Sequence, residues 1–400
     1  MPVQARLVWD QGFTEYDFGD SHPMKPVRLE LTAALCAEFG LLDGPDVEVV
    51  YPAIVPDETL QTVHTADYVA AVKRASADPS AAEEGYGLGT EDDPAFEGIH
   101  EVSARIVAGT LDVTQAVWNG QARHGVNFCG GHHHAMPGYA SGFCVYNDAS
   151  VAIQWLLDQG VERVAYVDVD VHHGDGVERI FWDDPRVLTL SVHETGMVLF
   201  PGTGFAHDAG GAQARGSAVN LALPPGIGDA DWLRSFHAVA PAVLRAFRPQ
   251  FLVSQHGADT HVLDPLAHMS LSVDAQKAAA EAIHDLAHEL CEGRWVALGG
   301  GGYEVVGVVP RTWTHLTAIA LHRPIDLDTE VPQRWVELVR GRFGDRQQVP
   351  TRMGDGIADR GRIWYRSWEV GVDPESPVDR AVMATRQAVF PANGLDIWFG

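Results

Sequence analysis

The run from Val164 to Val171 limits most sharply what this chain can fold into, because charged residues crowd its far end. Val164, Tyr166, Val167, Val169 and Val171 are the β-branched and aromatic residues of a buried parallel strand. Yet Asp168, Asp170, His172, His173 and Asp175 lie in or just beyond it. Buried charge at this density is costly unless a metal or a partner compensates it. Asp170 and His172 stand two residues apart, so on extended chain their side chains leave one face and can converge on one ion. A carboxylate oxygen with an imidazole nitrogen suits zinc or another borderline divalent metal. Read alone, the stretch leaves open the blander alternative of an acidic loop with incidental histidines.

The rest of the chain alternates strand and helix patterns. Further strands are expected at Ala5–Trp9, Val47–Tyr51, Gly125–Cys129, Val187–Val192, Ala218–Leu223, Phe251–Ser254 and Trp295–Leu298. Helical spacing appears over much of Asp57–Arg74 and over Gly98–Trp118, Asp229–Phe247, Asp274–Leu290 and Pro310–His322. This predicts an α/β fold: one domain built on a parallel sheet of about eight strands, with helices on both faces. The last seventy or so residues show no firm periodicity. We read 1–325 as the catalytic domain and 326–400 as an extension packed on it.

Polar clusters recur just past the hydrophobic strands, where open α/β sheets place their ligand sites. Gly130-Gly131 leads into His132-His133-His134, a cluster that in isolation is as readily structural as catalytic. Gln255-His256-Gly257-Ala258-Asp259 follows another strand. Gly299 to Gly302 precedes Tyr303, a phosphate-loop imitation that lacks the Walker lysine. Within Pro79–Glu97, a long loop, Asp92 and Asp93 can hydrogen-bond a ligand or simply be solvated. Phe143 beside Gly142 leans towards core, and Arg28, after His22-Pro23-Met24-Lys25-Pro26-Val27, is undecided from its own segment.

Composition narrows the partners. The net charge of -26 disfavours nucleic acid and anionic membrane as primary ligands. No apolar run is long enough to span a bilayer, and no signal peptide is evident. Cys36, Cys129, Cys144 and Cys291 are widely spaced, as expected of buried thiols in a reducing compartment, so cytoplasm is the default.

Together the clusters suggest one reaction centre. Asp170, His172 and Asp259 would give zinc three protein ligands and leave positions for water and substrate. A neighbouring histidine can take the water proton and return it to a leaving amine. Tyr303 can donate to a tetrahedral oxyanion. That is machinery for metal-assisted amide hydrolysis.

At this point the chain resembles the zinc-dependent histone deacetylases, a family of the arginase/deacetylase fold, and within it the bacterial acetoin-utilisation (AcuC-like) branch. The resemblance runs from His22 to about His322 and rests on HPMKPVR, GGHHHA, SGFCVYND, VDVDVHHGDG, FPGTG, GADTHVLDP and GGGGY, in order. It implies zinc on Asp170, His172 and Asp259, with Fe2+ as the alternative occupant in the cell. It implies His134 as general acid/base, His133 as mainly electrostatic, and Asp168 and Asp175 as the carboxylates that orient them. Tyr303 matches the transition-state tyrosine. Phe143 and Phe200 match the walls of the tunnel for an acyl-lysine stem, with Gly142 on its floor. Asp92 matches the rim aspartate that holds substrate backbone, and Arg28 the arginine of an internal acetate-exit cavity. A structural potassium is implied near Asp168, Ser191 and the carbonyls of Asp170, His172 and Val192. The substrate implied is an acetylated protein or peptide, with acetyl-CoA synthetase the leading candidate.

Three rivals are distinguishable on residues. A polyamine-selective relative places a glutamate after the Asp-Pro pair, where this chain has Leu266. An arginase-type two-metal site needs a carboxylate two residues before Asp259, where Gly257 stands. A non-catalytic acetyl-lysine binder would lack the tyrosine or a zinc ligand, and neither is missing.

Overall fold

The computed structural model describes residues 2–399. In chain order its elements are β1 (Val3–Val8), α1 (Val27–Glu38), β2 (Val47–Val50), α2 (Asp57–Leu60), α3 (Ala66–Ala77), α4 (Ile99–Trp118), β3 (Ala122–Asn127), α5 (Asp148–Asp158), β4 (Val164–Asp168), α6 (Asp175–Phe181), β5 (Val187–Glu194) and β6 (Ala218–Leu223). They continue as α7 (Asp229–Phe247), β7 (Phe251–Gln255), α8 (Val273–Cys291), β8 (Trp295–Leu298), α9 (Val309–Ala320), α10 (Gln333–Phe343) and α11 (Pro377–Val389).

The strands form one eight-stranded sheet ordered β2-β1-β3-β8-β7-β4-β5-β6. Every adjacent pair is parallel. The central strands β4, β7 and β8 are buried along their whole length, which is why Val, Leu and Phe fill them, whereas the edge strand β2 is half exposed. Helices α3, α4 and α5 pack together on one side, and α1, α9, α8 and α7 form the layer on the other. Parallel pairing turns every strand the same way, so the loops after β3, β8, β7 and β4 emerge side by side at one edge.

Several boundaries differ from the sequence expectation. The expected helix over Asp57–Arg74 is two, because His64 turns inward to donate from Nδ1 to the Met136 carbonyl at 3.0 Å and Thr65 caps a new helix. Strand β3 runs Ala122–Asn127, not Gly125–Cys129. It ends where the Asn127 side-chain oxygen takes over the Cys129 amide at 3.1 Å.

The chain beyond 325 contains two helices that the periodicity did not reveal. Helix α10 docks on α1 through Trp335, whose Nε1 donates to the Leu31 carbonyl at 2.8 Å. Helix α11 packs on β6 and α7. There the buried Arg234 of α7 grips Asp379 through both nitrogens of its fork at 2.8 Å. It also caps the carbonyls of Arg366, Ser367 and Gly371. No helix among the described residues is long and apolar enough to cross a membrane.

Candidate active site

The four loops bring Asp170, His172 and Asp259 together, with one ligand atom from each lying within 4.8 Å of the others. All three are buried. His172 Nδ1 sits 3.1 Å from Asp170 Oδ1 and 3.2 Å from Asp259 Oδ2. The carboxylates are aimed by further donors: Gln255 Nε2 and the Gly301 amide on Asp170 at 2.7 and 2.9 Å, and the Val171 amide on Asp259 at 3.0 Å.

The trio fits a divalent ion. Burial and the Asp170 charge push the Asp259 carboxyl up to about 7, whereas Asp170, despite its burial, is held well below its ordinary value by His133 and His172, so Asp259 is the carboxylate of the pair that lacks compensation. Burial pushes His172 down, but its hydrogen bonds to Asp170 and Asp259 outweigh this and raise it to about 10. A positive charge is therefore favoured at the point where the three groups meet. Glycines make room for the cluster. A Cβ on Gly257 would lie 2.1 Å from Asp170 Oδ2, and one on Gly301 2.0 Å from Asp259 Oδ2. The ligand set is hard oxygen plus imidazole, with fewer than four protein donors, which is the open pattern of a reactive site.

Beside the trio stands a histidine pair. His133 Nδ1 donates to Asp168 Oδ2 and His134 Nδ1 to Asp175 Oδ1, each at 2.7 Å, because carboxylates only accept. Their Nε2 atoms face each other at 3.0 Å. Burial opposes charge on both rings, yet the carboxylates led by Asp168 raise His133 to about 9. Burial and the charge on His133 hold His134 down at about 4. The environments thus divide the pair into an imidazolium and a neutral base. Tyr166 supports this by donating its hydroxyl to Asp168 Oδ2 at 2.7 Å.

Tyr303 lines a cavity of about 20 Å³ with His133, His134, Asp170 and His172. Its amide donates to Asp264 Oδ2 at 2.8 Å, which anchors the glycine loop. Burial and the nearby Asp259 and Asp170 charges push the phenol well above its ordinary value, so it stays a proton donor. Arg28 is buried and braces the same loop from below, donating to the carbonyls of Gly300 and Gly302 at 2.8 and 3.2 Å. It also lines a second small cavity with Tyr16, Ile106 and Cys129, and Met24 and His132 border both spaces.

Gly142 and Phe143 form a tight turn closed by reciprocal Ser141–Cys144 backbone bonds at 3.1 and 3.0 Å. Both have left-handed φ, 56° and 66°. Such a turn suits glycine and costs an aromatic residue about 1–2 kcal/mol. The Tyr16 hydroxyl donates to the Phe143 carbonyl at 2.8 Å, and His22 packs edge-on at 4.4 Å. The Phe143 ring meets Tyr303 at 5.8 Å, and Phe200 meets His134 at 5.0 Å. A Cβ on Gly142 would lie 2.5 Å from the His134 ring and 2.9 Å from Phe200, so the passage between them depends on this glycine.

At the rim, Asp92 is exposed and its carbonyl accepts from His22 Nε2 at 3.1 Å, while Asp93 turns inward and is buried. Leu266 is half-buried, its amide held by Asp264 at 3.0 Å. Asp168 and Ser191 are direct partners across the β4–β5 register, and Val192 follows on β5. Ser191 Oγ lies 2.8 Å from His193 Nδ1.

The sequence reading did not single out Gln255, Tyr166, Asp264 or Asp148 as working parts. Asp148 holds the histidine loop, accepting from the amides of Gly131 and His132 at 3.0 and 2.8 Å. Its signal was present in the SGFCVYND stretch, and a polar Gln255 ending a fully buried strand was another.

Comparison with known proteins gives a consistent picture. The sequence model of the histone deacetylase domain matches residues 22–320. The acetoin utilization protein AcuC of Bacillus subtilis (strain 168) is 42% identical over 332 residues, 82% of this chain and 85% of its own. That of Staphylococcus xylosus is 36% identical over 338 residues, 84% of this chain and 87% of its own. A crystal structure described as an HDAC homolog complexed with SAHA superposes with a TM-score of 0.81 at 26% identity, covering 96% of this chain and all of that one.

Proposed function

This chain belongs to the histone deacetylase family, among its bacterial AcuC-like members, and from that premise we propose that it is a zinc-dependent deacetylase of acetyl-lysine in proteins. The observation that carries this is the meeting of Asp170, His172 and Asp259 with the His133/His134 pair at one small cavity that Tyr303 also lines.

Asp170, His172 and Asp259 would hold the ion, Zn2+ or in the cell Fe2+, which when bound polarises a carbonyl and acidifies water. His134, kept neutral, takes the proton of the attacking water at Nε2 and delivers it to the departing amine. His133, held as imidazolium by Asp168, supplies fixed positive charge beside the developing oxyanion. Tyr303 donates a hydrogen bond from its phenolic O–H to the same oxygen and keeps its proton. Asp175 fixes the tautomer of His134 by accepting from Nδ1. Phe143, Phe200 and Gly142 accept the neutral, flat acyl-lysine stem, and Leu266 offers it an apolar rim rather than a carboxylate for a second amine. Asp92 is exposed to receive substrate backbone amides. Arg28 lies beneath, where a released acetate would meet its positive charge. We assign a structural potassium to the neighbourhood of Asp168, Ser191 and the carbonyls of Asp170, His172 and Val192. An acetylated acetyl-CoA synthetase is the proposed protein substrate, and a cytoplasmic setting follows from it.

The test is acetate release from an acetyl-lysine peptide and from acetylputrescine side by side, with Tyr303→Phe as control. Peptide turnover that falls by about 10²–10³-fold in the variant is expected. Turnover of acetylputrescine alone would overturn the protein substrate, and binding without cleavage would overturn the enzyme.

A further inference from the structure

Four histidines gather at the far end of the sheet from the active site. His124 is the third residue of β3, His284 and His288 lie one turn apart on α8, and His322 follows α9. One nitrogen from each lies within 4.8 Å of the other three. His124 Nε2 is 3.2 Å from His288 Nε2, and His284 Nε2 is 3.0 Å from His322 Nε2. Around a tetrahedral ion with Zn–N bonds of about 2.0–2.1 Å, donor nitrogens stand about 3.3–3.4 Å apart. We propose that His124, His284, His288 and His322 form a second metal site that takes a divalent transition ion of the zinc class through four imidazole nitrogens.

The second sphere is already arranged for it. His124 Nδ1 lies 2.7 Å from the Ala320 carbonyl, which can only accept, so the proton sits on Nδ1 and the Nε2 lone pair points into the cluster. His322 takes the left-handed backbone, φ 53°, that closes α9, as Arg248 and Glu292 do at the ends of α7 and α8, and its amide is held by the Ile319 carbonyl at 2.9 Å. His288 lies in the last turn of α8, and His322 directly follows Leu321, the C-cap of α9. Both helices therefore direct the negative ends of their dipoles at the cluster. His288 and His322 are exposed, which gives an ion a way in. Four protein ligands close the coordination sphere, the pattern of a structural rather than a reactive ion. Its bound form would tie β3, α8 and the end of α9 together.

The test uses the full-length enzyme, stripped with chelator, reloaded with Zn2+, desalted and analysed for bound metal. Wild type is expected to retain two equivalents, and His288→Ala/His322→Ala one, with peptide deacetylation unchanged. Zn2+ added beyond the first equivalent should raise the melting temperature of wild type and not of the variant. Co2+ in wild type gives an independent reading, because the second equivalent should show the intense visible bands of a tetrahedral all-nitrogen site. One equivalent in both proteins, or a second Co2+ with a weak octahedral spectrum, would overturn the proposal. Preserved activity in the variant separates this outcome from failure of the deacetylase reading.

Discussion

Two clusters face away from each other across the same sheet, and they solve the problem of polar side chains near a hydrophobic core in opposite ways. At the carboxyl ends of the strands, Asp170 and Asp259 supply negative charge that must be balanced, and nearly every polar atom there has a dedicated partner. At the amino ends, four imidazoles gather with no carboxylate among them. His124 alone is fully buried, while His288 and His322 reach solvent. The first arrangement concentrates field on a reacting group and leaves coordination open. The second offers only lone pairs and fills every position. Charge type and ligand count, rather than the presence of histidine, separate a site built to react from one built to hold.

Breaking the first cluster should have the largest effect. Asp259→Ala is expected to reduce acetate release to background and to lose one metal equivalent while the imidazole cluster keeps its own, measured by metal analysis of the desalted protein. Loss of both equivalents would erase the distinction between the sites.

Asp168→Asn comes next, with deacetylation expected to fall by about 10–100-fold as a positioning partner is weakened. It also tests the charge argument. The Asp168 carboxylate raises His133, so its removal lets the imidazolium lose its proton at lower pH and moves the alkaline limb of kcat/KM downward. In wild type the His133–Asp168 pair stabilises the fold fully below the unfolded histidine value of about 6.5. That contribution fades as pH rises through about 9. An unmoved alkaline limb in the variant would mean that His133 does not carry the charge.

Asp379→Ala should touch neither cluster. It strands the buried Arg234 guanidinium, so urea unfolding should report a loss of about 3–5 kcal/mol. Activity per folded molecule should be unchanged.

The asymmetry between the clusters extends to what could be read in the sequence. Asp168 to Asp175 form one contiguous stretch, and His133, Asp259 and Tyr303 each follow directly on a hydrophobic strand, so the parallel sheet itself gathers them. The four histidines come from distant segments in which each appears as an unremarked polar residue. Arg123-His124 even hid the start of β3, because a buried histidine breaks the apolar pattern of a strand. The C-terminal helices were obscured for related reasons. Helix α10 buries only Trp335 and Val339, too few for a periodic signal. The buried face of α11 includes Asp379, Thr385 and Arg386, whose burial depends on partners such as Arg234 and the carbonyls of Asn220 and Ala238. No local pattern encodes such partners.

The left-handed turn at Phe143 bears on how this enzyme can diversify. A wall residue on ordinary strand or helix backbone can be exchanged for almost any side chain of suitable size. At this position the chain permits glycine, tolerates asparagine or aspartate, and penalises the branched aliphatic residues that would otherwise widen or narrow the passage. Adaptation to a new acyl group would therefore be expected to proceed through Phe200, Leu266 or the loops around them. The Phe143 side of the passage is held by a conformational veto that the backbone imposes by itself.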